Sequence, residues 1–174
     1  MKVVFDSTTG RIHRAYADDN FSCSLGPNED TYIFDNFVDP SDKKVDLSSA
    51  PSYVMINQDT VKITATNGSI VGEQVTLAGV ANIQVNEAIS FVVQKIDGET
   101  QAEKTAAQDA ETMNFVVGDL DFTSLASINI ENGVLSSGQI TFTLTAPSIP
   151  GNEELQIYGD GLKAVSVTLN YVSI

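Results

Sequence analysis

From Thr60 onward, apolar and polar residues alternate with a period of two. Thr60–Thr66 puts Val61, Ile63 and Ala65 on one side, and Thr60, Lys62, Thr64 and Thr66 on the other. Gly138–Thr145 directs Ile140, Phe142 and Leu144 inward and Thr141, Thr143 and Thr145 outward. Lys163–Tyr171 directs Val165, Val167, Leu169 and Tyr171 inward. Shorter strands are predicted at 73–78, 81–85, 113–117, 127–131 and 154–158, and the denser apolar run Ile89–Ile96 reads as a central strand. Asn67-Gly68 and Asn132-Gly133 are turn signals. Side chains repeat every two residues along a strand, so this pattern means one packed and one wet face, as in stacked antiparallel sheets. Roughly eight to ten short strands predict an all-β fold, an antiparallel β-sandwich of immunoglobulin-like or jelly-roll kind. With no Trp and one Cys the antibody signature is missing, so the topology stays open.

The first sixteen residues form a separate pattern. Val3 and Phe5 alternate with Lys2, Val4 and Asp6; Asp6-Ser-Thr-Thr-Gly10 supplies a turn, and Ile12 and Tyr16 resume the alternation. A lone hairpin buries little, so it needs a neighbouring sheet or a partner chain. Val3, Phe5, Ile12 and Tyr16 are the expected interaction residues. A polar turn at Ala17–Asn20, a stretch Phe21–Leu25 and a third strand at Thr31–Phe34 follow. Ser41–Pro51 is polar and bracketed by prolines, the composition of a linker or extended arm. The expected division is therefore an anchoring hairpin and arm over residues 1–50 and a sandwich over 51–174. Glu99–Thr112 holds no large apolar residue and reads as an exposed loop.

Composition narrows the function. The 174 residues are 42% hydrophobic, enough for a core. The net charge of −14 argues against partnership with nucleic acid or an anionic membrane. Residues 1–62 carry six basic against ten acidic side chains and residues 63–174 three against thirteen, which makes the N-terminal part the expected docking end. Cys23 is the only cysteine, so an internal disulfide is excluded. No apolar run reaches the ~18 residues of a membrane span, and Asp6 interrupts any leader, so synthesis in a cytosol is expected.

Chemical motifs are sparse. His13, between Arg11 and Arg14, is the only histidine. A nucleophilic site through His13 and Cys23 has no supporting spacing, and one His with one Cys cannot fill a zinc site. Asp18-Asp19-Asn20, Asp119 with Asp121, and Asp160 are turn oxygens of the kind calcium favours, without the EF-hand spacing. Walker and Rossmann glycine patterns are missing. The expectation is a protein that is not an enzyme, without catalytic residues, cofactor or metal.

Val3-Val4-Phe5-Asp6, Thr9-Gly10-Arg11-Ile12, the acidic Asp18-Asp19 turn and Asp35-Asn36-Phe37 together resemble the N-termini of tailed-bacteriophage virion proteins. The resemblance covers roughly the first forty residues. It implies an anchoring segment that docks on the particle, with a β-sandwich held outward, in a capsid decoration, head-fibre or tail-fibre adaptor protein. It also implies a virion location, major capsid or tail proteins as partners, and homo-oligomeric assembly such as a trimer. The chain departs from fibre proteins in having no long shaft, no heptads and no collagen-like repeat, which favours a compact decoration or adaptor protein. Two other readings are a carbohydrate- or cell-surface-binding module using Glu99–Thr112 and Gly159-Asp-Gly161, and a hydrolase using His13 in a site shared between subunits.

Overall fold

The computed structural model describes residues 1–65, 80–106, 111–118, 125–159 and 161–173, and the backbone of 74–75. The expected Asn67-Gly68 turn and the candidate ligands Asp119, Asp121 and Asp160 lie outside the described residues. Among the described residues no helix is long and apolar enough to cross a membrane. The chain divides into two units, Met1–Asp59 and Thr60–Ile174.

In the first unit, β1 (Lys2–Asp6), β2 (Ile12–Tyr16) and β3 (Glu29–Ile33) form an antiparallel sheet in the order β2-β1-β3. The hairpin turn closes because the Asp6 carboxylate accepts from the Thr8 and Thr9 amides at 2.9 and 2.7 Å, while the Gly10 amide donates to the Asp6 carbonyl at 2.8 Å. Val4 pairs with Arg14 and Phe5 with Ile12, so His13 is the extra residue of a bulge and Ile12 shares a face with Phe5. β4 (Lys43–Asp46) and β5 (Val54–Asn57) form a second hairpin. Met1, Val3, Phe5 and Val45 are buried at the centre, with Tyr32, Phe34, Tyr53 and Met55 packed around them. Tyr53 sets its ring edge-on to Phe5 at 5.3 Å and to Tyr32 at 5.2 Å.

Gly10 couples the two hairpins. Its carbonyl accepts from the Val45 amide at 2.8 Å, its φ is +76°, and a Cβ there would run into the Val45 carbonyl oxygen. Only glycine combines the left-handed backbone with this approach.

The linker expected at Ser41–Pro51 is instead folded structure, and the division falls at Asp59/Thr60 rather than at 50/51. Val45, 1% exposed, is the one buried side chain of β4, and a single apolar position gives no period to read. The flanking lysines look solvated in sequence, yet Lys44 pairs with the buried Asp59 at 3.1 Å and Lys43 donates to Asn57 across the hairpin.

The second unit contains β6 (Thr60–Ala65), β7 (Gln74–Val75), β8 (Val80–Gln84), β9 (Ala88–Ile96), β10 (Thr112–Gly118), β11 (Ser127–Ile128), β12 (Asn132–Val134), β13 (Gln139–Thr145), β14 (Gly151–Gly159) and β15 (Val165–Val172). One sheet runs β11-β13-β9-β6-β7, the other β12-β10-β14-β15-β8. Inward residues of both meet in one core, including Ile63, Val93 and Leu144 from the first sheet and Leu155, Val167 and Leu169 from the second. Phe142 bridges the sheets, stacking on Phe91 at 5.1 Å and tilting against Phe115 at 4.8 Å.

The pairing decides the topology. In the first sheet β6 lies beside β9, β9 beside β13 and β13 beside β11, while the second sheet sets β10, β14 and β15 side by side. This is the ABED/CFG division of an immunoglobulin-like sandwich. β8 pairs parallel with the last strand, β15, while every other strand pair is antiparallel among the described residues. The alternation at 60–65, 139–145 and 165–171 appears as read, with Phe142, Leu144, Val167 and Leu169 all 0% exposed. β9 is central, as its apolar density predicts.

Candidate functional site

Two surfaces gather side chains that the cores do not use. The first is on the N-terminal unit. Tyr16, Lys2 and Ile33 are in direct register across β2-β1-β3, so their side chains share one face of the sheet. The segment after β2 returns to this face: Phe21 stacks on Tyr16 at 4.5 Å, Lys2 Nζ donates to the Phe21 carbonyl at 3.0 Å, and Arg14 donates to the Ser24 carbonyl at 3.4 Å. Val4, on this same face, is fully buried. The Met1 amino group donates to the Phe34 carbonyl at 2.8 Å and pairs with Asp19 at 2.6 Å, which gathers the Asp19 turn and the end of β3 around Met1 and Lys2. What remains exposed, taken in chain order, is an apolar strip: Phe21 and Ile33 are nearly half exposed, and in the segment after β3 Phe37 is 73% exposed and Val38 follows it. Asp18, Asp19, Asp35 and Asp39 are exposed beside these residues in the chain.

This placement corrects the expected interaction set. Val3 and Phe5 are 0% exposed and form the unit's own core, so they cannot present a docking surface. Ile12 packs half-buried against that core, because the bulge turns it to the Phe5 side. Tyr16 is half-buried and contributes to the strip through Phe21. Phe21 and Phe37 escape a sequence reading because an apolar residue in a short irregular segment gives no sign of which way it faces, and Ile33 because the successive apolar residues Tyr32-Ile33-Phe34 do not show which face of β3 is covered.

The charge asymmetry also changes meaning. With Lys62 in the second unit, five basic face ten acidic residues over 1–59, and four face thirteen over 60–174. The two units carry nearly the same charge per residue, so charge does not mark a docking end.

His13 sits in the hairpin bulge with Nδ1 2.9 Å from Glu29 Oε1; Arg14 reaches the other oxygen at 2.5 Å, and the Gly26 amide donates there at 2.7 Å. The Gly26 amide first, then the His13 and Arg14 contacts, hold the Glu29 carboxyl below its ordinary range. The trio ties the Gly26 turn to the hairpin. Cys23 is half-buried and free. Among the described residues no group of three His, Cys, Asp or Glu side chains is placed to hold a metal ion, and Asp18, Asp19 and Asn20 form an exposed turn.

The second surface is a cleft of about 470 Å³ in the sandwich, at the edge of the sheet containing β12, β10 and β14. Asn114, Val116, Ser127, Glu131, Asn132 and Tyr158 line it, together with the apolar Phe115 and Ile128. Asn132, Asn114 and Tyr158 lie in one cross-strand row, since Asn114 pairs with Asn132 on one side and Tyr158 on the other. The Phe115 amide donates to the Glu131 carbonyl at 2.8 Å, which holds the Glu131 segment against β10. No described residue of the expected contact loop Glu99–Thr112 lines the cleft, and part of that loop is pinned: Gln94 Nε2 donates to the Lys104 carbonyl at 2.9 Å, and Lys95 pairs with Glu111 at 2.6 Å.

A buried carboxylate positions one border of this cleft. Glu153 on β14, 3% exposed, accepts from the amides of Leu125 and Ala126 and from the Tyr171 hydroxyl, the last two at 3.0 and 2.8 Å. Burial, then the neighbouring Glu153 carboxylate, pushes the Tyr171 hydroxyl far above its ordinary range. The clamp fixes the start of β11, from which Ser127 and Ile128 enter the cleft.

No family model matches this sequence, and no curated protein does. Among solved structures, a β-glucuronidase of glycoside hydrolase family 2 superposes over 99% of this chain and 18% of its own, at 14% identity and a TM-score of 0.49. A glycosyl hydrolase family 2 member from Bacteroides cellulosilyticus gives 10% identity, 70% and 16% coverage and a TM-score of 0.48. The D00-D0 domain of intimin gives 12% identity, 70% and 55% coverage and a TM-score of 0.42. The chain spans less than two thirds of each of these structures, and identities at this level transfer none of their activities.

Proposed function

We propose that this chain is a non-enzymatic structural protein of a bacteriophage virion, of capsid-decoration type, which docks through its N-terminal unit and displays the immunoglobulin-like sandwich. The observation that carries this reading is the apolar strip of Phe21, Ile33, Phe37 and Val38 on a unit with its own core. Six large apolar side chains are exposed over residues 1–59, as many as over the longer run of described residues in 60–174. Large apolar side chains left exposed among charged neighbours are what an interaction site offers a partner. The neighbouring aspartates select a partner that offers an apolar recess edged by Lys or Arg, and disfavour a second copy, which would bring carboxylate against carboxylate. The N-terminal resemblance to virion proteins supplies the particle as that partner. The side-chain chemistry supports binding over catalysis, since the sole histidine is committed to Glu29 and, among the described residues, a single carboxylate, Glu131, lines the cleft.

Mass spectrometry of purified particles of the phage that encodes the chain tests the assignment. Many copies per particle, retained through density-gradient purification, are expected. Particles that lack the chain, while infected cells contain it, would overturn the proposal.

A further inference from the structure

We infer that the cleft bounded by β10, β12 and β14 is a binding site for a neutral oligosaccharide. The reading stands apart from attachment to a particle, because it concerns the second unit alone. Its first support is convergence without internal use. Asn114, Ser127, Glu131, Asn132 and Tyr158 all line the cleft, and their side chains make no hydrogen bond within the described residues. Three other asparagines of the unit are engaged: Asn170 donates to Asn82 at 2.7 Å on the same sheet, and Asn129 accepts from the Thr143 amide at 2.6 Å.

The second support is chemical fit. Each asparagine offers both donors and acceptors, Glu131 offers acceptors, and Ser127 and Tyr158 offer hydroxyls that can do either. A sugar presents a dense array of hydroxyls that likewise donate and accept. Tyr158, 42% exposed, stands at the end of the row with Asn114 and Asn132, where its ring can take the apolar face of a pyranose while the amides reach the ring substituents. Cross-strand neighbours have Cβ atoms about 5 Å apart, so the three side chains span roughly the reach of one to two sugar rings. The volume of about 470 Å³ lies within the ~300–1,000 Å³ typical of small-ligand clefts.

The third support fixes the charge of the ligand. Among the described residues no Lys, Arg or His lines the cleft, Glu131 does, and the unit carries four basic against thirteen acidic residues. Sialylated, sulfated and uronic-acid glycans are therefore repelled. Among the described residues one carboxylate lines the site, short of the acid pair that glycoside cleavage requires, so the proposed chemistry is binding.

The test uses the full chain. Affinity electrophoresis through gels containing dextran, galactomannan, laminarin or arabinoxylan would be run beside gels containing heparin or alginate, followed by calorimetry with oligosaccharides of any retarding polymer. At least one neutral polymer should retard the protein. Tyr158→Ala and Asn132→Ala should each weaken binding at least tenfold with an unchanged thermal melt, while Tyr158→Phe keeps most of the affinity. Lack of retardation by all four neutral polymers, stronger retardation by heparin or alginate, or wild-type binding by Tyr158→Ala would overturn the inference. Each of these results leaves attachment through the N-terminal unit standing.

Discussion

Replacing Glu153 with alanine tests how the sandwich is held together at the cleft. The carboxylate is 3% exposed and receives the Leu125 and Ala126 amides and the Tyr171 hydroxyl. Its removal strands the well-buried Tyr171 hydroxyl (1% exposed) and takes an acceptor from the buried Ala126 amide (7%), whereas Leu125 is open enough for water to replace its partner. A buried donor left without a partner costs ~1–3 kcal/mol, and breaking a buried charged group's network costs ~3–5 kcal/mol in full. Relief from burying the carboxylate offsets part of this, so Glu153→Ala should destabilise the unit by about 3–4 kcal/mol. At ~4 °C per kcal/mol for a domain of this size, the melt should fall by more than about ten degrees. The chain has no Trp, so denaturant unfolding is followed by circular dichroism. Hydrogen exchange of peptides over Gly151–Gly159 and Val165–Val172 ties the loss to this unit. Tyr171→Phe alone should cost ~1.5–3 kcal/mol, the worth of a hydrogen bond to a charged group, and the double variant should fall short of the sum by at least ~1 kcal/mol. A loss below ~1 kcal/mol for Glu153→Ala, or additivity within ~0.5 kcal/mol, would refute the clamp.

Gly10→Ala should destabilise the N-terminal unit by ~2–3 kcal/mol, combining a left-handed backbone with the loss of the bond from the Val45 amide; protease susceptibility over 43–57 reports it, and an unchanged cleavage rate would contradict the coupling of the hairpins. The Tyr171 hydroxyl is raised in the folded state, so its contribution is complete below the ordinary tyrosine value of ~10 and lost as pH rises further; wild type should lose more stability than Tyr171→Phe between pH ~10 and ~11.5 in parallel melts. Asp97 is held far below the ordinary range by the Thr100 amide foremost, with the Glu99 amide and Lys104 adding to it. Its contribution is complete above pH ~4 and is lost as pH falls below that, so Asp97→Asn should flatten part of the acid limb of the stability curve.

The sandwich is largely legible because long strands with one buried face write their period into the sequence. Ile140, Phe142 and Leu144 are three apolar positions in alternation between threonines, and only one register places them all inward. The parallel partnership of β8 with β15 is not legible, since Ala81 and Ile83 point inward in either direction of pairing. The N-terminal hairpin is visible in Asp6–Gly10, but its role is not. Val3, Val4 and Phe5 are all buried because the sheet is covered on both faces, which three consecutive apolar residues signal and a strict two-residue reading overlooks. The cleft combines outward residues of three strands, and the row Asn132–Asn114–Tyr158 exists only once the register is known.

The burial of β1 also decides how attachment must be tested. Deleting residues 1–16 removes the central strand and three of the four buried core side chains, so it destroys the unit rather than its surface. Substitution at the exposed strip leaves that core intact. The most direct measurement is co-sedimentation of the full chain with purified particles depleted of it, comparing wild type with Phe37→Asp and with Phe21→Asp. Saturable binding by wild type, weakened at least tenfold in both variants with unchanged melts, is the predicted result. Equal binding by wild type and Phe37→Asp, or no binding by wild type, would contradict attachment through this strip.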